Sequence, residues 1–369
     1  MSALSESPVV IDQVTVPRSL CYDRSLDTVW IINQTQLPYA LEQVPLKSLE
    51  DCCHAIRSMQ VRGAPLIGVT AAYGVYLALR EDCCALEAAI NELSKTRPTA
   101  VNLSWALQRC RNELSTVITE ERAEQALALA QRLEAEDIAV CAGIGDQGLR
   151  LLEGLWQSRA ESQERLNILT HCNAGALAAV DWGTALAVVY KAAAAELPVH
   201  VWVDETRPRN QGAALTCWEL AQRKIPHTLI VDNVGGHLMQ RGQVDVCLVG
   251  SDRTTRRGDV CNKIGTYLKA LAAHDNDIPF YVALPVSSID FACMDAHNDI
   301  PIEERSGSEV LTATGRNAAG ELQQISLAPE ATPASNYGFD ITPARLVTGL
   351  ITEKGVVSAT ESGIASLID

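Results

Sequence analysis

From residue 166 onward, short apolar runs alternate with longer stretches of helical spacing, and this constrains the fold more than any other feature. Residues 166–170, 199–203, 228–231, 244–249 and 280–284 read as strands. Residues 175–195, 212–223 and 263–273 read as the helices between them. Apolar strands separated by helices call for a parallel sheet covered by helices on both faces. The first half differs. A short β region at 28–32 precedes helices at 46–59, 64–79, 86–93 and 103–114, then a long Ala-rich amphipathic stretch from 120 to 152. The polar segment 155–165 is the expected boundary. The fold class is therefore α/β, with a smaller, mainly helical domain at 1–154 and a sheet domain at 155–369.

Apolar residues make up 47% of the 369 and charged residues 20%, a balance that supports a packed core and excludes a disordered chain. A formal net charge of -15 repels a phosphate backbone, so nucleic acid is not an expected partner. In so acidic a chain, a local cluster of arginine and lysine calls for a specific small anion. No apolar run reaches the roughly 18 residues that span a bilayer, and no basic start leads into an apolar block. The expected location is the cytoplasm, with no membrane partner. The 12 cysteines include two adjacent pairs, Cys52-Cys53 and Cys83-Cys84, but no CxxC and no zinc-type spacing. In a reducing compartment such cysteines serve mainly as small buried apolar groups.

Open parallel sheets bind ligands beyond the carboxyl ends of their strands. The segments in that position are His171-Cys172-Asn173-Ala174-Gly175, Asp204 to Gly212, Asp232-Asn233 and Gly250-Ser251-Asp252-Arg253, the last leading to Asn262-Lys263. Cys172 stands between a strand end and an expected helix start, where backbone N–H groups favour a thiolate. Asp252 directly follows an apolar strand, where partial burial keeps a carboxyl protonated as a general acid. Asp204, Glu205 and Asp232 compete for that role, and spacing does not separate them. The candidate cations are Arg62, Arg97, Arg207, Arg209 and Lys263. Arg62-Gly63-Ala64-Pro65 opens a helix whose free N–H groups suit a phosphate, and a guanidinium adds paired hydrogen bonds. Arg97 sits in the turn 96–99, where a lone arginine is as readily a solvated surface charge. No GxGxxG follows a strand and no GxxxxGK[ST] occurs, so neither a dinucleotide cofactor nor a Walker-type site is supported.

These residues also carry a resemblance. Residues 61–68 (VRGAPLIG), 96–103 (TRPTAVNL), 169–177 (LTHCNAGAL), 205–212 (ETRPRNQG), 250–253 (GSDR), 258–260 (GDV), 262–267 (NKIGTY) and 339–345 (FDITPAR) resemble, in order, the segments of the 5-methylthioribose-1-phosphate isomerases. The resemblance implies a Rossmann-like C-terminal domain, a homodimer, a place in methionine salvage, and no metal or organic cofactor. It maps catalytic positions onto Cys172 and Asp252. It maps substrate-binding positions onto Arg62, Gly63, Ala64, Arg97, Gln211, Asn262 and Lys263. The chain departs from the pattern at Asp181-Trp182, Ala214, Ser251, Arg256-Arg257 and Cys261. The basic pair Arg256-Arg257 keeps open an isomerase of ribose 1,5-bisphosphate or 5-deoxyribose 1-phosphate. The same superfamily contains regulatory subunits of the eukaryotic translation-initiation exchange factor, a non-catalytic alternative. For the isomerase, Asp252 is the expected proton donor to the ring oxygen. Hydrogen then moves from C2 to C1 by proton transfer or by hydride shift, with Cys172 as proton carrier in the first or transition-state stabiliser in the second.

Overall fold

The computed structural model describes residues 17–97, 101–158 and 163–368. Residues 98–100 of the expected Arg97 turn and 159–162 of the expected boundary segment lie outside them.

The expected strand at 28–32 is β2 (Thr28–Ile32), flanked antiparallel by β1 (Leu20–Asp23) and β3 (Gln43–Leu46). Five helices come next: α1 (Leu49–Arg57), α2 (Ala64–Glu81), α3 (Leu86–Ser94), α4 (Val101–Leu114) and α5 (Arg122–Gln157). α1 starts at a capping box in which Ser48 and Asp51 satisfy each other's backbone N–H groups. α2 is apolar on every side, so it forms the centre of the bundle, buried without a break from 66 to 79. α5 supplies Ala126, Leu129 and Leu133 to the N-terminal core, then Ile144 and Leu152 to the core beside the large sheet.

The second half runs β4 (Leu166–Thr170), α6 (Ala185–Ala194), β5 (Val199–Asp204), α7 (Cys217–Gln222), β6 (His227–Ile230), α8 (Gly235–Gln240) and β7 (Val246–Val249). Then come β8 (Arg253–Thr255), β9 (Val260–Lys263), α9 (Thr266–Asp275), β10 (Phe280–Ala283), β11 (Ile289–Asp290), β12 (Thr312–Arg316) and β13 (Leu322–Ser326). β14 (Phe339–Thr342), β15 (Gly349–Thr352) and β16 (Gly355–Val357) complete the strands. The main sheet has the order β16-β15-β10-β7-β4-β5-β6, parallel throughout except for the β16 edge. From β4 the chain steps outward through β5 and β6, then returns to the other side of β4 for β7, β10 and β15. The order therefore reverses between β4 and β7, which is where a doubly wound sheet opens its ligand crevice. No helix of the described residues is long and apolar enough to cross a membrane.

Three expectations are corrected. The helix expected at 175–195 is a 3-10 turn at Ala176–Ala178, and α6 begins only at Ala185. Gly175, just before that turn, pairs with Gly183, which lies before α6 and takes φ 80°. The helix expected from 263 begins at Thr266, so Lys263 closes strand β9. The helix expected at 212–223 starts with a π-turn, Gly212–Thr216, before α7. An unexpected second sheet, β11-β8-β9-β14, lies in the chain after β7 and shapes the site.

Candidate active site

The loops after β4 and β7, the start of α2 and the end of β9 line one cavity, partly open to solvent. Arg62, Gly63, Ala64, Arg97, Cys172, Gln211, Asp252, Asn262 and Lys263, nine residues from distant parts of the chain, all line it. Asp252 is the only carboxylate in this wall among the described residues. The competing acids are committed elsewhere. Asp204 meets His171 at 2.9 Å and Lys269 at 3.3 Å. Asp232 accepts from the Thr206 and Arg207 N–H groups at 2.7 and 2.8 Å. Glu205 does not reach the cavity wall. Arg207 and Arg209 turn away too: Arg207 donates to the Val310 carbonyl at 2.8 Å, and Arg209 pairs with Glu309 at 2.8 Å.

The positions of these groups arise from local backbone chemistry. Gly63 caps α2 at φ 94°, and a Cβ there would collide with the backbone of Ala178. That close approach brings the helix start against the Cys172 loop, and no side chain caps it. Its N–H groups remain available to an anion. Arg62 is buried, donating from Nε to Gln34 at 3.1 Å and from Nη1 to the Asn173 carbonyl at 2.8 Å, with Nη2 on the Asn173 side chain. Arg97 is no solvated surface charge. It pairs with Glu303 at 3.2 Å, and its buried Nε has no partner among the described residues. The Lys263 ammonium lies 4.7 Å from the centroid of the Phe339 ring, a cation–π contact set by the β9–β14 pairing of these two residues.

Cys172 takes φ 65°, a conformation uncommon outside glycine and here fixed on both sides. Its N–H donates to Thr206 Oγ1 at 2.8 Å, and its carbonyl accepts from Thr216 at 2.7 Å. Its Sγ stands 3.5 Å from Gln211 Oε1. Burial pushes the thiol up from its ordinary value, and Lys263 and Arg62 oppose that rise without cancelling it. The expected thiolate is therefore not favoured, because burial outweighs the two cations. Burial likewise pushes the Asp252 carboxyl up, against Lys263, Arg97 and Arg62, with Glu303 adding to the rise. Burial pushes Lys263 down, while Cys172 and Asp252 hold it up.

Comparison with known proteins settles the lineage. The model of the initiation factor 2 subunit family matches residues 60–359. A methylthioribose-1-phosphate isomerase of Rhodospirillum rubrum is 54% identical over 360 residues, covering 96% of this chain and 92% of its own. The chain belongs to the initiation factor 2 subunit family, among its methylthioribose-1-phosphate isomerases. Two solved structures are also similar. The 5-methylthioribose 1-phosphate isomerase of Pyrococcus horikoshii OT3 is 36% identical, with a TM-score of 0.82 and coverage of 100% of this chain and 99% of its own. The translation initiation factor eIF-2B subunit delta from A. fulgidus is 39% identical, with a TM-score of 0.75 and coverage of 93% and 96%.

Within this family member, sequence reading alone passed over Glu219. Fully buried on α7, it accepts from the Asn173 amide, the Ala176 N–H and the Tyr190 hydroxyl, each at 2.7 Å. A Cβ at Gly175 would run into its carboxylate. Glu219 thus holds the whole turn that presents Cys172. Glu219→Ala leaves at least three buried donors unpaired and is expected to cost about 3 kcal/mol or more. Urea unfolding measures this as a lower midpoint at unchanged slope. A loss below about 1 kcal/mol would count against the anchoring role.

Proposed function

We propose that the protein converts 5-methylthioribose 1-phosphate to 5-methylthioribulose 1-phosphate, an aldose–ketose isomerisation of methionine salvage. One observation carries the reading. The cavity at the sheet's reversal point combines a single carboxyl group, one thiol and three cations, Arg62, Arg97 and Lys263. That inventory suits an anionic substrate that needs one proton delivered. The names of the similar isomerases support it.

The chemistry is dictated by the substrate. Phosphate on C1 blocks the ring opening of a free sugar, so the bond from C1 to the ring oxygen must break with acid assistance. Asp252, whose carboxyl burial pushes up from its ordinary value, donates to the ring oxygen, which becomes the C4 hydroxyl. The hydrogen on C2 then moves to C1. The C2 hydroxyl gives up its proton as the carbonyl forms, which restores the acid. Arg97, Lys263 and the start of α2 bind the phosphate, and Gln211 and Asn262 bind sugar hydroxyls.

The C5 substituent is attached next to C4, and C4 carries the ring oxygen. A group on C5 therefore lies beside Asp252. A smaller space shares Ala64, Arg97, Asp252 and Phe339 with the cavity and is lined besides by Arg253 and the apolar Ile67, Cys261, Ile300 and Pro301. Of its two arginines, Arg253 is paired with Asp290, and Arg97 is the one already assigned to the C1 phosphate. An apolar methylthio group suits this space better than a second phosphate. Arg256 pairs with Glu361 at 2.7 Å, and neither Arg256 nor Arg257 lines the cavity, which weakens the bisphosphate alternative.

We further propose a cytoplasmic homodimer, divided into residues 1–154 and 155–369. Separate cores support two domains, but the second half of α5, with Ile144 and Leu152, joins the sheet core, so the change of core falls within α5, before residue 154. The test is an assay of purified protein on 5-methylthioribose 1-phosphate, ribose 1,5-bisphosphate and 5-deoxyribose 1-phosphate. The expected preference is for the methylthio sugar. Turnover of none would favour the regulatory-subunit alternative, and preference for the bisphosphate would overturn the substrate assignment.

A further inference from the structure

We infer that His171 is a positioning residue for the isomerisation, tying the Cys172 turn to the strand end that carries Asn262 and Lys263. The inference rests on the isomerase reading above. His171 is fully buried one residue before Cys172, and both of its ring nitrogens are engaged. Nε2 is 2.8 Å from the carbonyl oxygen of Ile264, the residue after Lys263. A carbonyl only accepts, so Nε2 carries a hydrogen. Nδ1 is 2.9 Å from Oδ2 of Asp204, the last residue of β5. The same oxygen lies 3.3 Å from the Lys269 ammonium on α9, and the other Asp204 oxygen has no partner among the described residues.

The imidazole therefore bridges three strand ends: β4 through its own backbone, β5 through Asp204, and β9 through Ile264. The turn after β9 lies against the ring. Gly265 takes φ 103°, and a Cβ on it would stand 3.0 Å from ring atoms of His171. Nothing in the sheet hydrogen bonding sets Lys263 against Cys172, because β9 belongs to the second sheet and β4 to the first. The His171–Ile264 contact supplies that registration.

The test compares His171→Ala, His171→Asn and His171→Gln with the parent on 5-methylthioribose 1-phosphate. A glutamine amide reaches the place of Nε2, and an asparagine amide only that of Nδ1. His171→Ala and His171→Asn are expected to lose about 100-fold in kcat, with KM within about threefold of the parent. His171→Gln is expected to recover at least about tenfold of that loss, because it restores the tie to Ile264. A purely structural histidine would show equal rescue by asparagine and glutamine, or activity that tracks only the folded fraction. Either result, or kcat of His171→Ala within about threefold of the parent, overturns the inference. If alanine at 171 does not fold, the glutamine-against-asparagine comparison still decides it. An inactive parent would instead sink the isomerase reading.

Discussion

Replacing Asp252 with asparagine is expected to lower kcat about 1000-fold while KM stays within a few fold. Asparagine keeps the volume of the side chain but has no proton to donate to the ring oxygen. The Asp252 N–H bond to the Cys261 carbonyl, 3.1 Å, involves only backbone and survives the change. Ground-state binding is therefore preserved, and the loss falls on the step in which the C1–oxygen bond breaks. The pH dependence gives a second reading of the same group. Burial raises the Asp252 pKa above the ordinary carboxylate value, so its acid form persists to higher pH than an exposed aspartate would allow. The parent's activity is expected to fall as pH rises through that raised value, and this limb should be missing from the residual rate of Asp252→Asn. Retention of more than about a tenth of kcat would remove Asp252 from the acid role.

Much of this site was legible because its residues come directly after strands that announce themselves. The runs before Cys172 and Asp252, LNILT and VCLV, are short and mainly apolar, as strands buried in a parallel sheet are. The reversal of strand order between β4 and β7 then gathers the loops after these two strands at one crevice, which spacing alone does not show. The second sheet was not legible. β8 and β9 are short and polar, reading RTT and VCNK, and β14, the partner of β9, is remote in sequence. Pairing at such distance leaves no periodic trace, so Lys263 reads as a helix start when it ends a strand. The Cys172 turn misled for a related reason. Its small residues suit a helix, but Glu219, 43 positions from Ala176, accepts from the Ala176 N–H and holds the segment in a turn closed by the Gly175–Gly183 pair. Arg97 carried no local sign of burial, since its partner Glu303 is also remote.

These remote partners share a physical logic. Glu219, Glu303 and Gln34 each hold a group that faces the cavity from a separate part of the chain. None of them touches the cavity itself, so chemistry-bearing residue types reveal the site without revealing its supports. The supports matter because a side-chain hydrogen bond out of bulk water fixes a cation or a turn more firmly than an exposed one. Arg62 illustrates this. Its guanidinium spans Gln34 and Asn173, so the N-terminal β region and the Cys172 loop converge on one side chain.

Cys172→Ser is expected to reduce kcat about 100-fold and to leave stability within about 1 kcal/mol. Serine fits the same space, and the backbone bonds to Thr206 and Thr216 that hold the φ 65° conformation do not depend on the side chain. What changes is the group presented to C1 and C2. The thiol of Cys172 is pushed up by burial, so at neutral pH it is uncharged and a weak base. A protonated thiol is poorly suited to remove the C2 proton. It is well suited to exclude water while hydrogen passes directly from C2 to the electron-poor C1. A reaction run in deuterated water should then place no deuterium on C1 of the ketose product. Solvent deuterium at C1 would establish proton transfer through an enediol-type intermediate and make Cys172 its carrier. A serine variant with more than about a third of parental kcat would deny the thiol either role.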